Sequence, residues 1–227
     1  MRALEKATLP TFAAAALRAL LTTGWLGLAG CSTVYYAAME QLGWEPRDVL
    51  VSRVETARDA LAEAKTRFLD ALGAARAVQQ ATGRDAAAAQ KQLRDAYAYA
   101  NARAQTVRRR LAAVQSAAGE LFTEWRDDVA TTKDAAARAR TQQLHDSAEA
   151  RYQHLLTSMQ SAADAMPPVL DALRDQVALH TATGSAPAAN VAADGLAALE
   201  RAVARSVDDF EQAIAEADVF IKQLGMA

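Results

Sequence analysis

Apolar residues recur along this chain at alternating steps of three and four positions in four separate stretches. That spacing is typical of an α-helix that buries one narrow stripe against its neighbours. The stripes run from Leu50 to Val78, from Leu93 to Trp125, from Leu144 to Val177 and from Leu196 to Leu224. The pattern therefore predicts four long helices.

The residues of each stripe are the predicted core positions. The first two stripes comprise Leu50, Val54, Ala57, Leu61, Ala64, Phe68, Ala71, Ala75 and Val78, then Leu93, Tyr97, Ala100, Ala104, Val107, Leu111, Val114, Ala118, Leu121 and Trp125. The other two comprise Leu144, Ala148, Tyr152, Leu155, Met159, Ala162, Met166, Val169, Leu173 and Val177, then Leu196, Leu199, Val203, Phe210, Ile214, Ala217, Ile221 and Leu224.

Local signals indicate where these helices begin and end. Pro46 suits a first helical turn, and Thr82-Gly83 suits a helix end. Asp85 lies near the positive end of the second helix, where a carboxylate is favourable. Thr131 to Asp134 has the spacing of a capping box, with Asp in place of Glu, ahead of the third helix.

Two places disturb the helical pattern. Pro167-Pro168 lies inside the third helix, where a proline costs on the order of 3 kcal/mol, so we expect either a kink or a break. Residues Thr181 to Ala189 are small and polar, which indicates a mobile loop between the third and fourth helices.

Composition supports an all-α fold. The chain has 58 alanines in 227 residues but only 10 glycines and 5 prolines, so helices are favoured and turns are few. A helix of about 35 residues is roughly 50 Å long. Short connections make consecutive helices antiparallel neighbours. We therefore predict an elongated antiparallel helical bundle, or coiled coil, of about four long helices over residues 46–227.

The N-terminus is typical of an exported protein. Arg2 and Lys6 precede an apolar run, Ala19 to Ala29, that is too short to span a bilayer. The run ends in Leu28-Ala29-Gly30-Cys31, which resembles the lipobox of bacterial lipoproteins. The resemblance implies a signal peptide over residues 1–30 and acylation of Cys31, with palmitate for example. The alternatives are a membrane span over residues 11–30, or an ordinary signal followed by a buried cysteine.

The residues after Cys31 bear on location. Ser32 follows the cysteine, and the lipobox resemblance then implies the periplasmic face of the outer membrane. The anchor-proximal segment, residues 31–45, carries Tyr35, Tyr36, Met39 and Trp44. This segment either rests at the membrane interface, which favours Tyr and Trp, or caps one end of the bundle.

Several stretches of the chain after Cys31 are similar to segments of a known protein family. They include Tyr35-Tyr36-Ala37-Ala38-Met39-Glu40, Arg47 to Val54, Leu121-Phe122-Thr123-Glu124-Trp125, Arg174-Asp175-Gln176-Val177 and Ile214 to Ile221. Together they resemble a bacterial family of lipoproteins known only as a domain of unknown function. The resemblance supports an envelope location and a helical architecture, and it implies no reaction.

No motif in the sequence indicates catalysis. His145, His154 and His180 are too far apart for a metal face, so we expect solvated surface histidines and neither metal nor cofactor. No glycine-rich turn presents a serine nucleophile. The net charge of -2 disfavours nucleic acid binding. Arg108-Arg109-Arg110 is interpreted as a solvated helix face, with an acidic partner or lipid headgroups as the alternative.

These observations favour a protein that is not an enzyme. We expect an outer-membrane-anchored periplasmic lipoprotein that acts as a structural or protein-binding helical module. Its partners would be the membrane, through the lipid on Cys31, and another protein, but not nucleic acid. The alternative is a lipid-handling or membrane-remodelling bundle, although such helices usually need broader Leu and Phe faces than these alanine-rich stripes provide.

Overall fold

The computed structural model describes residues 46–181 and 188–225, and these residues form four α-helices. They are α1 (Pro46–Gln80), α2 (Asp85–Thr131), α3 (Ala135–Thr181) and α4 (Ala189–Gly225). Within those two ranges there is no β-strand. The prediction of an all-α fold with four long helices is therefore confirmed.

Each helix packs against its neighbours in sequence, and α1 also packs against α4 to close the ring. The diagonal pair α1 and α3 is in much less contact. Consecutive helices are antiparallel because the connections at residues 81–84 and 132–134 are only long enough for a reversal. The result is an antiparallel four-helix bundle within one compact unit.

The predicted core of α1 is confirmed in full, because every position of its stripe from Leu50 to Val78 is buried. In α2 the predicted positions are buried except for Tyr97 and Trp125, which are half-buried. Alanines supply 7 of the 19 stripe positions of α1 and α2. Small side chains let helix axes approach closely, so the core is held by close packing as well as by bulky residues.

The core positions of α3 and α4 differ from the prediction at several points. Leu144 is 63% exposed, whereas its neighbour His145 is 2% exposed. Val177 is half-buried, and Gln176 beside it is buried. In α4, Leu196, Ile214 and Ile221 are half-buried, while Ser206, Ala213 and Phe220 are buried. The buried residues follow the three-four alternation more strictly than the predicted ones.

The connections show which capping predictions hold. Gly83 has φ +58°, a conformation that glycine adopts without strain, and it lies between α1 and α2 as predicted. Asp85 is the first residue of α2. The capping-box prediction is wrong, because Thr131 still belongs to α2. Asp134 itself caps α3, its Oδ1 accepting a hydrogen bond of 2.6 Å from the Ala137 amide.

Pro167 and Pro168 lie within α3, which continues through them. The expected possibility of a break is therefore wrong. Met166, Val169 and Leu173 are fully buried around the proline pair. Tertiary burial of that stripe outweighs the backbone hydrogen bonds that two prolines remove.

Other sequence predictions lie outside the described residues. They are the signal peptide (residues 1–30), Cys31 with the anchor-proximal segment (residues 31–45), and most of the predicted loop between α3 and α4 (residues 182–187). In the described helices, none is long and apolar enough to cross a membrane.

The core assignment gives a stability prediction. Leu111 is buried, whereas Arg109 is exposed. Leu111→Asp should lower the free energy of unfolding by about 3 to 5 kcal/mol, because its carboxylate would be buried without a partner. Arg109→Ala should lower it by less than about 0.5 kcal/mol. Urea unfolding followed by circular dichroism measures both, and equal losses would show that the register of α2 is wrong.

Candidate functional site

Among the described residues, two groups of side chains inside the bundle include polar atoms, and two open grooves lie on its surface. The predicted lipidation site, Cys31, lies outside the described part of the chain. Of the three histidines expected at the surface, His154 is exposed, His180 is half-buried and His145 is buried. The prediction is therefore wrong for His145.

The first group is an aromatic cluster between α2 and α3. Phe122 and Trp125 are stacked, with ring centroids 6.5 Å apart and planes 8° apart. The His145 ring meets both edge-on, at 5.6 Å from Phe122 and 5.7 Å from Trp125. Tyr152 lies 5.5 Å from Phe122. Aromatic pairs in such tilted and edge-on arrangements are favourable beyond the area they bury, which explains how an imidazole occupies a core position.

The polar atoms of the aromatic cluster have contrasting surroundings. Nδ1 of His145 donates a hydrogen bond of 3.1 Å to Oδ1 of Asp146. This bond, followed by one from Gln142, lowers the pKa of Asp146 below its ordinary value. Nε2 of His145 is buried and has no hydrogen-bond partner. Burial raises the pKa of Tyr152. The imidazole is thus held mainly by ring packing.

The second group lies near the other end of the bundle, where α1 and α3 end and α4 begins. Gln176 is 2% exposed, and its Oε1 has no hydrogen-bond partner. The amide nitrogen of Gln176 lies so close to Gly195 on α4 that a Cβ atom at residue 195 would overlap it. Nearby, Gln79 Nε2 donates a hydrogen bond of 2.7 Å to the carbonyl of Ala192. The absent side chain of Gly195 is what makes room for Gln176.

His180 follows Gln176 by one helical turn. Its Nε2 is buried and lacks a hydrogen-bond partner. Burial lowers its pKa below the ordinary value, because desolvation disfavours the charged imidazolium. His180 and Gln176 both occupy positions that continue the strict three-four alternation of α3. That alternation was the sequence signal that could have placed them in the core.

The two surface grooves are open to solvent. The first, of about 320 Å³, lies between α1 and α2 and is lined by Arg67, Asp70, Lys91, Gln92, Asp95 and Tyr99. Ion pairs Arg67–Asp70 (3.1 Å) and Lys91–Asp95 (2.5 Å) satisfy its charges. The second, of about 210 Å³, lies between α3 and α4 beside His154 and Phe220. Both are open grooves and differ in this from the enclosed pockets typical of small-molecule sites.

The ionisable residues of the described part of the chain do not assemble a metal site. There, no three His, Cys, Asp or Glu residues lie close enough together to hold a metal ion. Asp146, the partner of His145, is an exposed carboxylate. The geometry therefore defines a helical bundle whose buried polar residues make packing contacts.

This chain belongs to a protein family described as "Protein of unknown function (DUF2959)", whose model matches residues 35–224. The match confirms the resemblance to an uncharacterised family, over nearly all of the chain that follows Cys31. No curated protein and no solved structure is significantly similar to the chain.

The fit between Gln176 and Gly195 can be tested against the exposed glycines of the other helices. Gly73→Ala and Gly119→Ala should each stabilise the bundle by about 0.5 to 1 kcal/mol, because no atom obstructs the new methyl group. Gly195→Ala should fail to give this gain, because the methyl group displaces Gln176. In a Gln176→Ala background the gain should reappear. Equal effects at all three glycines in urea melts would contradict the fit.

The burial of His180 predicts a pH dependence of stability. Its folded-state pKa lies below the unfolded value of about 6.5, so the unfolded chain binds a proton first as pH falls. The free energy of unfolding should therefore decrease as pH falls through about 6.5. His180→Gln should reduce this decrease. Identical pH profiles for wild type and His180→Gln would refute the interpretation.

Proposed function

We propose that this protein is a lipid-anchored envelope protein whose four-helix bundle acts as a non-catalytic structural or protein-binding module. The anchor is the lipid on Cys31, and the location is the periplasmic face of the outer membrane. The observation that carries the proposal is the closed core. The apolar stripes of all four helices are used inside the bundle, so its outer surface is left for binding.

The sequence supports the anchor. Cys31 is the single cysteine of the chain, and it directly follows Leu28-Ala29-Gly30 at the end of an apolar run. Acylation at that position would leave residues 31–45 as the connection between the membrane and α1. A chain of about fifteen residues reaches at most roughly 50 Å when fully extended. The bundle would therefore stay close to the membrane surface.

The packing of the bundle supports a binding or structural role over lipid transport. A helical protein that opens onto lipid presents broad apolar faces. Here the buried positions include many alanines, such as Ala64, Ala71, Ala104 and Ala118, all of which are fully buried. Opening the helices would lose the close packing that these alanines allow.

The test of the anchor is metabolic labelling of cells with a fatty-acid analogue, followed by separation of the membranes. The wild type should carry label and sediment with the outer membrane. Cys31→Ser should carry no label and appear in the soluble periplasmic fraction, because one covalent lipid anchor is removed. Cys31→Ser should also reduce the function of the protein in cells more than Asp175→Asn or His154→Gln does. Equal labelling of wild type and Cys31→Ser would exclude the lipoprotein assignment.

The non-catalytic role is tested by the polar substitutions. A nucleophile or general base typically contributes orders of magnitude to a reaction rate. If one exposed polar substitution abolished function while folding and acylation remained normal, the protein would have to be an enzyme. Crosslinking of the lipidated protein in cells should instead recover a discrete complex with another protein.

A further inference from the structure

The middle of α2 has an unusual charge pattern. Residues 96–119 contain four arginines and no acidic residue, although the whole chain carries a net charge of -2. Arg103 is neutralised by Glu63 of α1 at 3.0 Å. The other three, Arg108, Arg109 and Arg110, are consecutive and exposed. We call these three residues the arginine face.

The arginine face is not neutralised within the described structure. Arg109 donates a hydrogen bond of 2.9 Å to the hydroxyl of Thr106, which carries no charge. Arg108 and Arg110 have no ion pair with any residue of the described helices. Elsewhere, arginines pair across helices, as Arg58 does with Asp218 at 2.9 Å.

The adjacent surface of α3 does not supply opposing charge. Because α2 and α3 are antiparallel and joined by three residues, residues 152–163 of α3 lie at the level of the arginine face. That stretch contains no Asp, Glu, Lys or Arg. Its exposed residues include no acidic group; they are Gln153, His154, Thr157, Gln160 and Ser161. A positively charged surface therefore extends over α2 beside a neutral strip of α3.

We propose that the arginine face rests on anionic phospholipid headgroups. Successive residues of a helix point about 100° apart, so three consecutive arginines do not converge on one small ligand. Their long side chains can nevertheless all bend toward one plane of phosphates. Ala102 and Ala112, both exposed, leave the guanidinium groups unobstructed. Each arginine at an anionic surface strengthens binding about fivefold.

This inference deepens the proposed function and rests on its membrane location. It adds an orientation, since contact through α2 would lay the bundle along the membrane and direct α4 away from it. The charged surface is chemically independent of acylation, so the two can be tested separately. Failure of the lipid contact would leave the Cys31 labelling result intact.

The experiment measures sedimentation of residues 31–227 carrying Cys31→Ser, the chain without its apolar signal segment, with lipid vesicles. One set of vesicles is an equal mixture of phosphatidylglycerol and phosphatidylcholine, and the other is phosphatidylcholine alone. Replacing Arg108, Arg109 and Arg110 together by Gln should weaken binding to the anionic vesicles on the order of a hundredfold. High salt should weaken wild-type binding in the same direction. Binding to neutral vesicles should be weak and unchanged.

The matched control removes the same charge elsewhere. Arg67, Arg76 and Arg174 are exposed and form ion pairs, so their joint replacement by Gln should change vesicle binding by less than about threefold. Replacement of the three residues of the arginine face by Lys should retain vesicle binding, because attraction to the headgroups depends on charge. This variant also controls for any effect of the substitutions on folding. Equal losses in both Gln variants, or equal wild-type binding to neutral vesicles, would overturn the proposal. If the Gln variant of the arginine face kept its vesicle binding but lost a crosslink to another protein, the proposal would be overturned and the face would be assigned to an acidic protein partner.

Discussion

Burial of four narrow apolar stripes is the constraint on which this structure depends. Each helix exceeds 34 residues and has one stripe that it cannot cover by itself. Four antiparallel helices arranged in a ring cover every stripe at once. The abundance of alanine at these positions determines how close the helices approach, because a methyl side chain leaves little between two backbones. Close packing along the whole length then compensates for the small area that each alanine buries.

The same constraint explains which core positions the sequence could predict. In α1 and α2 the alternation of steps coincides with apolar residues, and the prediction was confirmed except at Tyr97 and Trp125, which are half-buried. In α3 the alternation reaches His145 and Gln176, where an apolar neighbour, Leu144 or Val177, was the more obvious choice. A helix packs as a rigid element, so moving one neighbour into the core would rotate the rest of the stripe out of it. The period therefore outweighs the polarity of a single residue.

Other features depended on contacts between helices and were not predictable from one segment. His145 is buried because rings of α2 meet it edge-on, and Gln176 is buried because α4 has a glycine opposite it. Each relation joins residues that are about twenty positions apart in the chain. α3 likewise continues through Pro167 because packing on both sides outweighs a local cost. Local helix propensity explains where the helices form, whereas contacts with neighbouring helices explain the positions of His145, Gln176 and Pro167.

The distribution of charge separates the requirements of folding from those of binding. The cross-helix ion pairs of α1 reach Glu200, Glu211 and Asp218 on α4 and Arg103 on α2, and their side chains are exposed to different degrees. Such pairs contribute little individually, on the order of 0 to 1 kcal/mol. Folding would therefore be nearly as favourable with charges spread evenly over the surface. An exposed run of three arginines that forms no ion pair within the described helices is not needed to bury the apolar stripes, and it produces a local positive potential on an acidic protein. That charge is therefore available for contact with an anionic surface outside the bundle, as we propose for the arginine face.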